Sequence, residues 1–131
     1  MPEETPRIKK STDRGDTFIH RTDEEARKFY QTYEWRKFRG KVKESRRKKD
    51  RKRVHDLYKT MPNTAFSSLA RWLSDDNPLC VDCIEEGYIR SGPVADHITR
   101  IRNGGDPLDS NNIAFRCHPH HNRKSGKEAH E

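Results

Sequence analysis

The residues whose types could do chemistry are concentrated from Leu79 onward, where all three cysteines and most of the histidines lie. Cys80 and Cys83 form a C-x-x-C pair, and Cys117 opens a run that reads Cys-His-Pro-His-His. Thiolates and imidazoles in two such turns are ligands that tetrahedral Zn²⁺ prefers. Because the second run repeats the two-residue gap of the first pair, the spacing predicts a structural zinc site made of Cys80, Cys83, Cys117 and His120.

Two other interpretations of these cysteines stay open. A C-x-x-C pair can be a redox pair, as in thioredoxin-like proteins, although the βαβ pattern that accompanies such a pair is absent from this sequence. The cysteines could also be unrelated buried residues. A metal site has one further argument in its favour: only 29% of the residues are hydrophobic, so the core must be small. Zinc binding would add roughly 10 kcal/mol of folding free energy.

A second group of residues lies around the same segment and is not needed by a plain zinc ribbon. Asp96 and His97 follow a short strand-like run, and an Asn-Gly-Gly turn at 103–105 leads back toward Asn112. His121 follows the second zinc turn directly and opens a predicted short helix. Asn112 could instead cap a turn, since asparagine favours such places, and the Asp-His pair alone could be an ordinary surface pair.

In this order, these features resemble the HNH endonuclease family, specifically its small phage and bacterial members with a zinc-binding C-x-x-C frame. The close resemblance covers residues 79–126, and residues 29–39 resemble the aromatic and basic helix of the family. Two departures are visible. His120 stands where the family has a fourth cysteine, and residues 41–74 read as an insertion relative to the shorter members.

The resemblance implies an α+β fold with a ββα-metal (His-Me finger) core, stapled by the structural zinc and preceded by basic helices. It implies that His97 is the general base that activates water, and that Asp96 and His121 hold one catalytic divalent cation. Asn112 would orient the His97 ring or join the shell of that cation. Mg²⁺, Mn²⁺, Ni²⁺ and Zn²⁺ all suit a carboxylate and imidazole site, and the sequence does not select among them.

The charge balance predicts a polyanionic partner. Lys and Arg number 28 against 21 Asp and Glu, which gives a formal net charge of +7. Such a surplus favours phosphate backbones through counterion release without specifying a sequence. Each basic residue could equally be a solvated charge. The positions expected to contact DNA are Arg46, Arg47, Lys48, Lys49, Arg100, Arg102, Arg116, Arg123 and Lys124.

Together with this charge balance, the resemblance implies a metal-dependent endonuclease that nicks or cuts double-stranded DNA with weak sequence specificity. The resemblance to phage members suggests an action beside the DNA-packaging terminase. The alternative is a non-catalytic zinc-ribbon protein that binds nucleic acid, for which the zinc ligands and basic stretches suffice. The residues that discriminate between the nuclease and the binding protein are Asp96, His97 and His121, since a binding module does not need a second metal site.

Composition divides the chain into a charged arm over residues 1–21, a basic helical region over 22–78 and the nuclease-like domain over 79–131. No run of about 18 uncharged apolar residues is present, and the chain does not open on an apolar secretory segment. The sequence therefore predicts a cytoplasmic protein, in the host cell if it is phage-encoded, with no membrane partner.

Three helical segments are predicted before the zinc site. A capping box at 22–25 starts the first, whose aromatic stripe runs to Phe38 and is expected to face the core. Residues 41–59 are almost all charged, which fits either an exposed helix along a phosphate backbone or a partly disordered run. The third helix covers 64–75, and its apolar side is expected to carry Phe66, Leu69, Ala70 and Leu73.

Overall fold

The structure is a computed structural model of the chain, and it describes residues 23–129. The fold is α+β and mostly helical, with one small two-stranded sheet. Its elements are α1 (Asp23–Tyr30), α2 (Tyr33–Lys59), α3 (Phe66–Ser74), α4 (Val81–Glu85), β1 (Val94–His97), β2 (Ile113–Arg116) and α5 (His118–Ala129). Two short 3-10 turns, Ile101–Asn103 and Ser110–Asn112, lie in the connection from β1 to β2.

The α+β class is therefore confirmed at this coarse level. The predicted arm over 1–21 and Thr22, the first residue of the predicted capping box, lie outside the described residues. In the part of the chain that the structure covers, no helix is long and apolar enough to span a bilayer.

By its internal contacts, the described chain falls into two compact units. Unit 1 consists of residues 23–40 and His97–Ile113, and unit 2 consists of Lys41–Asp96 and residues 114–129. The predicted domain boundary after residue 78 lies within unit 2.

In unit 1 the predicted aromatic helix is two helices, because the chain turns at Gln31 and Thr32. The Thr32 hydroxyl donates to the Phe29 carbonyl (2.7 Å) and accepts from the Trp35 amide (3.1 Å). Thr32 therefore caps the N-terminus of α2. The turn brings the ring centroids of Phe29, Tyr30 and Trp35 to 5.3–5.7 Å from one another. The prediction of one continuous stripe was wrong, since these aromatics form a cluster at the turn.

The connection from β1 to β2, also in unit 1, requires glycine at two positions. Gly104 has a φ of +91°, which L side chains rarely adopt. A Cβ on Gly105 would collide with the carbonyl of Thr99. The predicted Asn-Gly-Gly turn is thus present, and it returns the chain so that the Ile98 amide donates to the Asn112 carbonyl (2.8 Å).

In unit 2 the charged run is helical throughout, so the predicted helical conformation is confirmed and the partly disordered run is wrong. Two charged side chains on its inner face anchor this polar helix. The Arg47 guanidinium donates to carbonyls at the C-terminal end of α3 and lies 3.8 Å from the centroid of the Trp72 ring. Asp50 is buried, accepts from the Leu79 amide (2.8 Å) and pairs with Arg53 (2.8 Å).

The apolar core of unit 2 is small and includes the fully buried Trp72 together with Val54, Met61, Leu69, Leu79 and Ile89. α3 lies where a helix over 64–75 was predicted, and two residues of its predicted apolar side, Leu69 and Leu73, lie in or pack against this core. Leu69 and Trp72 are buried, whereas Ala70 is exposed and Phe66 is 68% exposed. The large Trp72 indole takes the core position. Phe66 and Trp72 are six residues apart, which places their side chains about 120° from each other around the helix axis, and Phe66 therefore faces solvent.

Candidate functional site

Two helix starts in unit 2 bring the four predicted zinc ligands together. Cys80 and Cys83 lie at the start of α4, and Cys117 and His120 lie at the start of α5, which begins three residues before the predicted His121. All four side chains are buried, and their ligand atoms lie within 4.8 Å of one another. This group, the Cys–His cluster, could hold a metal ion such as zinc.

The distances inside the cluster are close to those around a tetrahedral zinc ion, except that Nδ1 of His120 lies nearer to the Cys117 sulfur. With Zn–S bonds of about 2.3 Å and a Zn–N bond of about 2.0 Å, two sulfur ligands lie roughly 3.8 Å apart and sulfur and nitrogen roughly 3.5 Å apart. The sulfurs of Cys83 and Cys117 are 3.8 Å apart, and Nδ1 of His120 lies 3.0, 3.5 and 3.8 Å from the three sulfurs. Sulfur and nitrogen donors favour Zn²⁺ over hard cations such as Mg²⁺.

The thiols of the cluster differ in how readily they ionise. Burial raises the pKa of the Cys83 thiol, and hydrogen bonding and charge from the neighbouring thiols raise it further. Burial also raises the pKa of Cys117, but hydrogen bonds from the amide and ring of His120 outweigh that effect and lower it to about 7. A thiolate therefore forms more readily at Cys117 than at Cys83. Metal binding has to release the protons of the other thiols.

Glu86 is a residue of this site that the sequence did not reveal. Its carboxylate lies 2.9 Å from Nε2 of His120. Because a carboxylate accepts, Nε2 carries the hydrogen and Nδ1 keeps its lone pair toward the thiols, the arrangement common behind metal-bound histidines. This bond, followed by the one to Cys117, raises the pKa of His120. The available signal was spacing, since Glu86 lies three residues after Cys83.

The Asp96 carboxylate, also in unit 2, lies close to two basic side chains and a histidine. Its Oδ2 lies 3.0 Å from both Arg116 Nε and Lys124 Nζ, and its Oδ1 lies 3.7 Å from His121 Nε2. Arg116 also pairs with Asp82. The structure thus brings the predicted pair Asp96 and His121 together. Two donors at this separation could share one cation that takes its remaining ligands from water or phosphate.

His97, the predicted base, belongs to unit 1 and is buried. Its Nε2 lies 3.1 Å from the Pro107 carbonyl oxygen, and its Nδ1 lies 3.0 Å from the Tyr30 hydroxyl. A carbonyl oxygen can only accept, so Nε2 carries the hydrogen and Nδ1 has the lone pair. The imidazole can therefore take up a proton at Nδ1 alone.

Asn112 holds the loop that orients His97. Its Nδ2 donates to the carbonyls of Thr99 and Asp106 (both 3.1 Å), and its Oδ1 accepts from the Thr99 amide (2.8 Å). Asp106 directly precedes Pro107, whose carbonyl fixes the imidazole. Of the two roles that the resemblance implies for Asn112, this geometry favours orientation of His97 over a place in the shell of the cation.

The predicted DNA-contact residues have different environments. Arg47 is engaged by carbonyls of α3, and Arg116 and Lys124 are engaged by Asp96, which argues against direct phosphate contacts by these three. Arg46 is partly buried, with its guanidinium 5.9 Å from the centroid of the Phe115 ring. Arg100 is half-buried, and the rest are exposed: Lys48, Lys49, Arg102 and Arg123.

No protein-family model, curated protein or solved structure matches this chain. The resemblance to HNH endonucleases therefore stays a prediction from the sequence. What the structure adds is a buried Cys–His cluster suited to a metal ion, together with the hydrogen-bonded surroundings of Asp96 and His97.

Proposed function

We propose that this chain is a metal-dependent endonuclease of the HNH type that hydrolyses phosphodiester bonds in DNA. The observation that carries the proposal is the hydrogen bonding of His97, which leaves the basic lone pair on Nδ1 and fixes the ring. A general base has to be neutral, oriented and able to take a proton, and such a base contributes about 10²–10⁴-fold to a rate.

The charged residues of β1 and α5 would have defined tasks. Asp96 and His121 would hold a divalent cation, and Arg116 would keep the Asp96 carboxylate in place through its Nε. The cation, when bound, supplies positive charge to the phosphate oxygens and the leaving oxygen. His97, which follows Asp96 in β1, would take the proton of the attacking water.

The Cys–His cluster would have a structural task. Four protein ligands complete a tetrahedral zinc ion and leave no open position for substrate. The cluster joins the starts of α4 and α5 in unit 2, where few apolar side chains form the core. We therefore assign the zinc of this cluster to stability and a second cation to the chemistry.

The exposed face of α2 supports DNA as the substrate. The buried Asp50 is flanked in the sequence by four exposed basic residues, Lys48, Lys49, Arg51 and Lys52. This stretch therefore presents positive charge without an exposed carboxylate. Contacts of this kind give salt-sensitive affinity without base specificity. An action beside a terminase rests on the resemblance alone.

One observation favours a second candidate, a non-catalytic zinc protein that binds nucleic acid. His97 is buried with both ring nitrogens hydrogen-bonded, and Asp96 already pairs with Arg116 and Lys124. A binding protein would leave these pairs undisturbed, whereas a nuclease has to open at least some of them when the cation and DNA bind.

Conversion of supercoiled plasmid DNA separates the two candidates. Zinc-loaded protein is incubated with EDTA, Mg²⁺, Mn²⁺ or Ni²⁺, and the open-circle and linear products are measured. We expect cation-dependent cleavage by the wild-type chain. We expect the rate of His97→Gln, which keeps the side-chain volume, to be lower by about 100-fold or more.

His118→Ala is the matched control, because His118 is an exposed histidine at the start of α5. It should cleave at the wild-type rate. DNA binding without cleavage under every cation would select the zinc-binding protein, and wild-type rates from a folded His97→Gln variant would reject His97 as the base.

A further inference from the structure

We propose that Tyr30 relays the proton between the attacking water and His97, as a second proton-transfer residue. The inference rests on the proposed function, and it concerns side chains of unit 1 alone. Its basis is the 3.0 Å distance between the Tyr30 hydroxyl oxygen and Nδ1 of His97.

Hydrogen-bond chemistry fixes the direction of this contact. The Pro107 carbonyl accepts from Nε2 of His97, so the neutral imidazole has its only lone pair on Nδ1. Two acceptors this close would repel each other, and therefore the Tyr30 hydroxyl donates. The one nitrogen that can take a proton thus already faces the phenolic hydrogen.

Burial explains why a relay is needed. His97 is 3% exposed, whereas Tyr30 is 41% exposed. The ring centroids of Trp35 and Tyr30 lie 5.0 and 5.8 Å from that of the imidazole, so aromatic side chains cover the base. The Tyr30 hydroxyl bonds to Nδ1 and belongs to a side chain that solvent reaches.

The local fold holds the hydroxyl in position. Tyr30 is the last residue of α1, directly before the turn in which Thr32 caps α2. Its ring meets those of Phe29 and Trp35 at steep angles, with centroids 5.7 and 5.3 Å away. α1 also contacts the 3-10 turn Ile101–Asn103. A proton carrier held this way needs little reorganisation when the reaction begins.

The proposed step conserves atoms and charge. The water oxygen attacks phosphorus while one of its protons passes to the Tyr30 oxygen and the Tyr30 hydroxyl proton passes to Nδ1 of His97. The bond between phosphorus and the leaving oxygen breaks, and the leaving oxygen takes a proton from solvent. Tyr30 ends as a neutral phenol and His97 as an imidazolium, which later returns its proton to solvent through the same hydroxyl.

The test compares single-turnover plasmid cleavage by wild-type, Tyr30→Phe and Tyr33→Phe proteins in mixtures of H₂O and D₂O. Tyr30→Phe removes the hydroxyl and keeps the aromatic packing, whereas Tyr33 is exposed and serves as the control. We expect Tyr30→Phe to be slower by on the order of 100-fold and Tyr33→Phe to be unchanged. The dependence of the rate on deuterium fraction should be curved in the wild type, because two protons move, and linear in Tyr30→Phe.

Each other outcome overturns the relay in a recognisable way. An unchanged or faster Tyr30→Phe would mean that the hydroxyl merely covers the base. A slower Tyr30→Phe with an unchanged deuterium profile would mean that the hydroxyl only orients the His97 ring through its hydrogen bond. Absence of cleavage by the wild type would instead reject the proposed function and the relay with it. Imidazole ¹⁵N shifts that place the hydrogen on Nδ1 of His97 would contradict the relay without any activity assay.

Discussion

The Cys–His cluster and the surroundings of His97 are both buried and polar. They differ in whether other protein groups form hydrogen bonds with their sulfur and nitrogen atoms. In the cluster, three thiols and one imidazole nitrogen face one another. Around His97, by contrast, both ring nitrogens face partners from the protein, Tyr30 and Pro107. Buried ligand atoms that can only face each other favour a bound cation, whereas a buried ring with both nitrogens paired is stable without one.

Asp96, like His97 and unlike the ligand atoms of the cluster, already has partners from the protein. Arg116 and Lys124 already compensate its charge. A cation at Asp96 and His121 therefore has to compete with two resident positive groups, and it has only two protein ligands in place of four. We expect one tightly held zinc in the cluster and one exchangeable cation at Asp96.

The largest effect should come from breaking the cluster. Cys83→Ser removes one ligand from a site whose metal, when bound, would contribute folding free energy on the order of 10 kcal/mol. We expect zinc content to fall well below one per chain and the thermal transition of unit 2 to be lost. Calorimetry with parallel metal analysis checks this, and wild-type protein stripped by a chelator should behave the same way. A variant that melts like the wild type would show that the cluster is not a metal site.

Removing His121 should separate chemistry from stability. His121→Ala takes away one of the two proposed ligands of the exchangeable cation and leaves the cluster intact. A cation that contributes several kcal/mol to the transition state corresponds to a rate loss of about 100-fold or more. Plasmid cleavage should fall by that amount while zinc content stays constant, with the exposed His118→Ala variant as the control. Equal rates from both variants would remove His121 from the site.

A smaller effect is expected at Glu86, which orients a cluster ligand from outside. Glu86→Ala should weaken zinc affinity by about 10- to 100-fold, the usual effect of losing such a carboxylate. Glu86→Gln keeps an acceptor for Nε2 of His120 and should fall in between, and exposed Glu85→Ala should match the wild type. Competition with a chromophoric chelator measures all three. Identical affinities would make Glu86 a surface charge.

The smallest effect is expected for DNA binding by α2, where basic residues that are exposed can be compared with one that is already hydrogen-bonded within the protein. Lys48 and Lys49 are exposed, so replacing both by Ala should lower the slope of log affinity against log salt by roughly 2. The Arg47 guanidinium already bonds the carbonyls of Trp72 (3.1 Å) and Asn77 (3.0 Å). Arg47→Ala should leave the salt slope unchanged and cost about 1–3 kcal/mol of stability instead. A reduced slope in Arg47→Ala would contradict its structural role.

Sequence spacing predicted the cluster because a metal site needs few residues at short, regular intervals. Cys80, Cys83, Cys117 and His120 come together as predicted. The β1 strand and the α3 helix were likewise predictable from local signals, namely a short strand-like run and an amphipathic segment between two prolines.

The rest depends on contacts between residues that are distant in the chain. Arg47 and Asp50 look like surface charges until α3 and Leu79 supply their partners. Tyr30 and His97 are 67 positions apart, so the sequence indicated a core aromatic and a separate base. The break at Thr32 was missed because the helical spacing of the aromatics outweighed a single capping residue.

The most direct test of the division between a structural and an exchangeable metal is to count metal while measuring cleavage. Protein that contains one zinc per chain is titrated with Mg²⁺ or Mn²⁺, and plasmid cleavage and zinc content are measured on the same samples. We predict no cleavage by the one-zinc protein alone, cleavage that rises with added cation, and zinc content that stays at one. Full activity with one zinc and no further cation, or no cleavage at any cation concentration, would contradict this division.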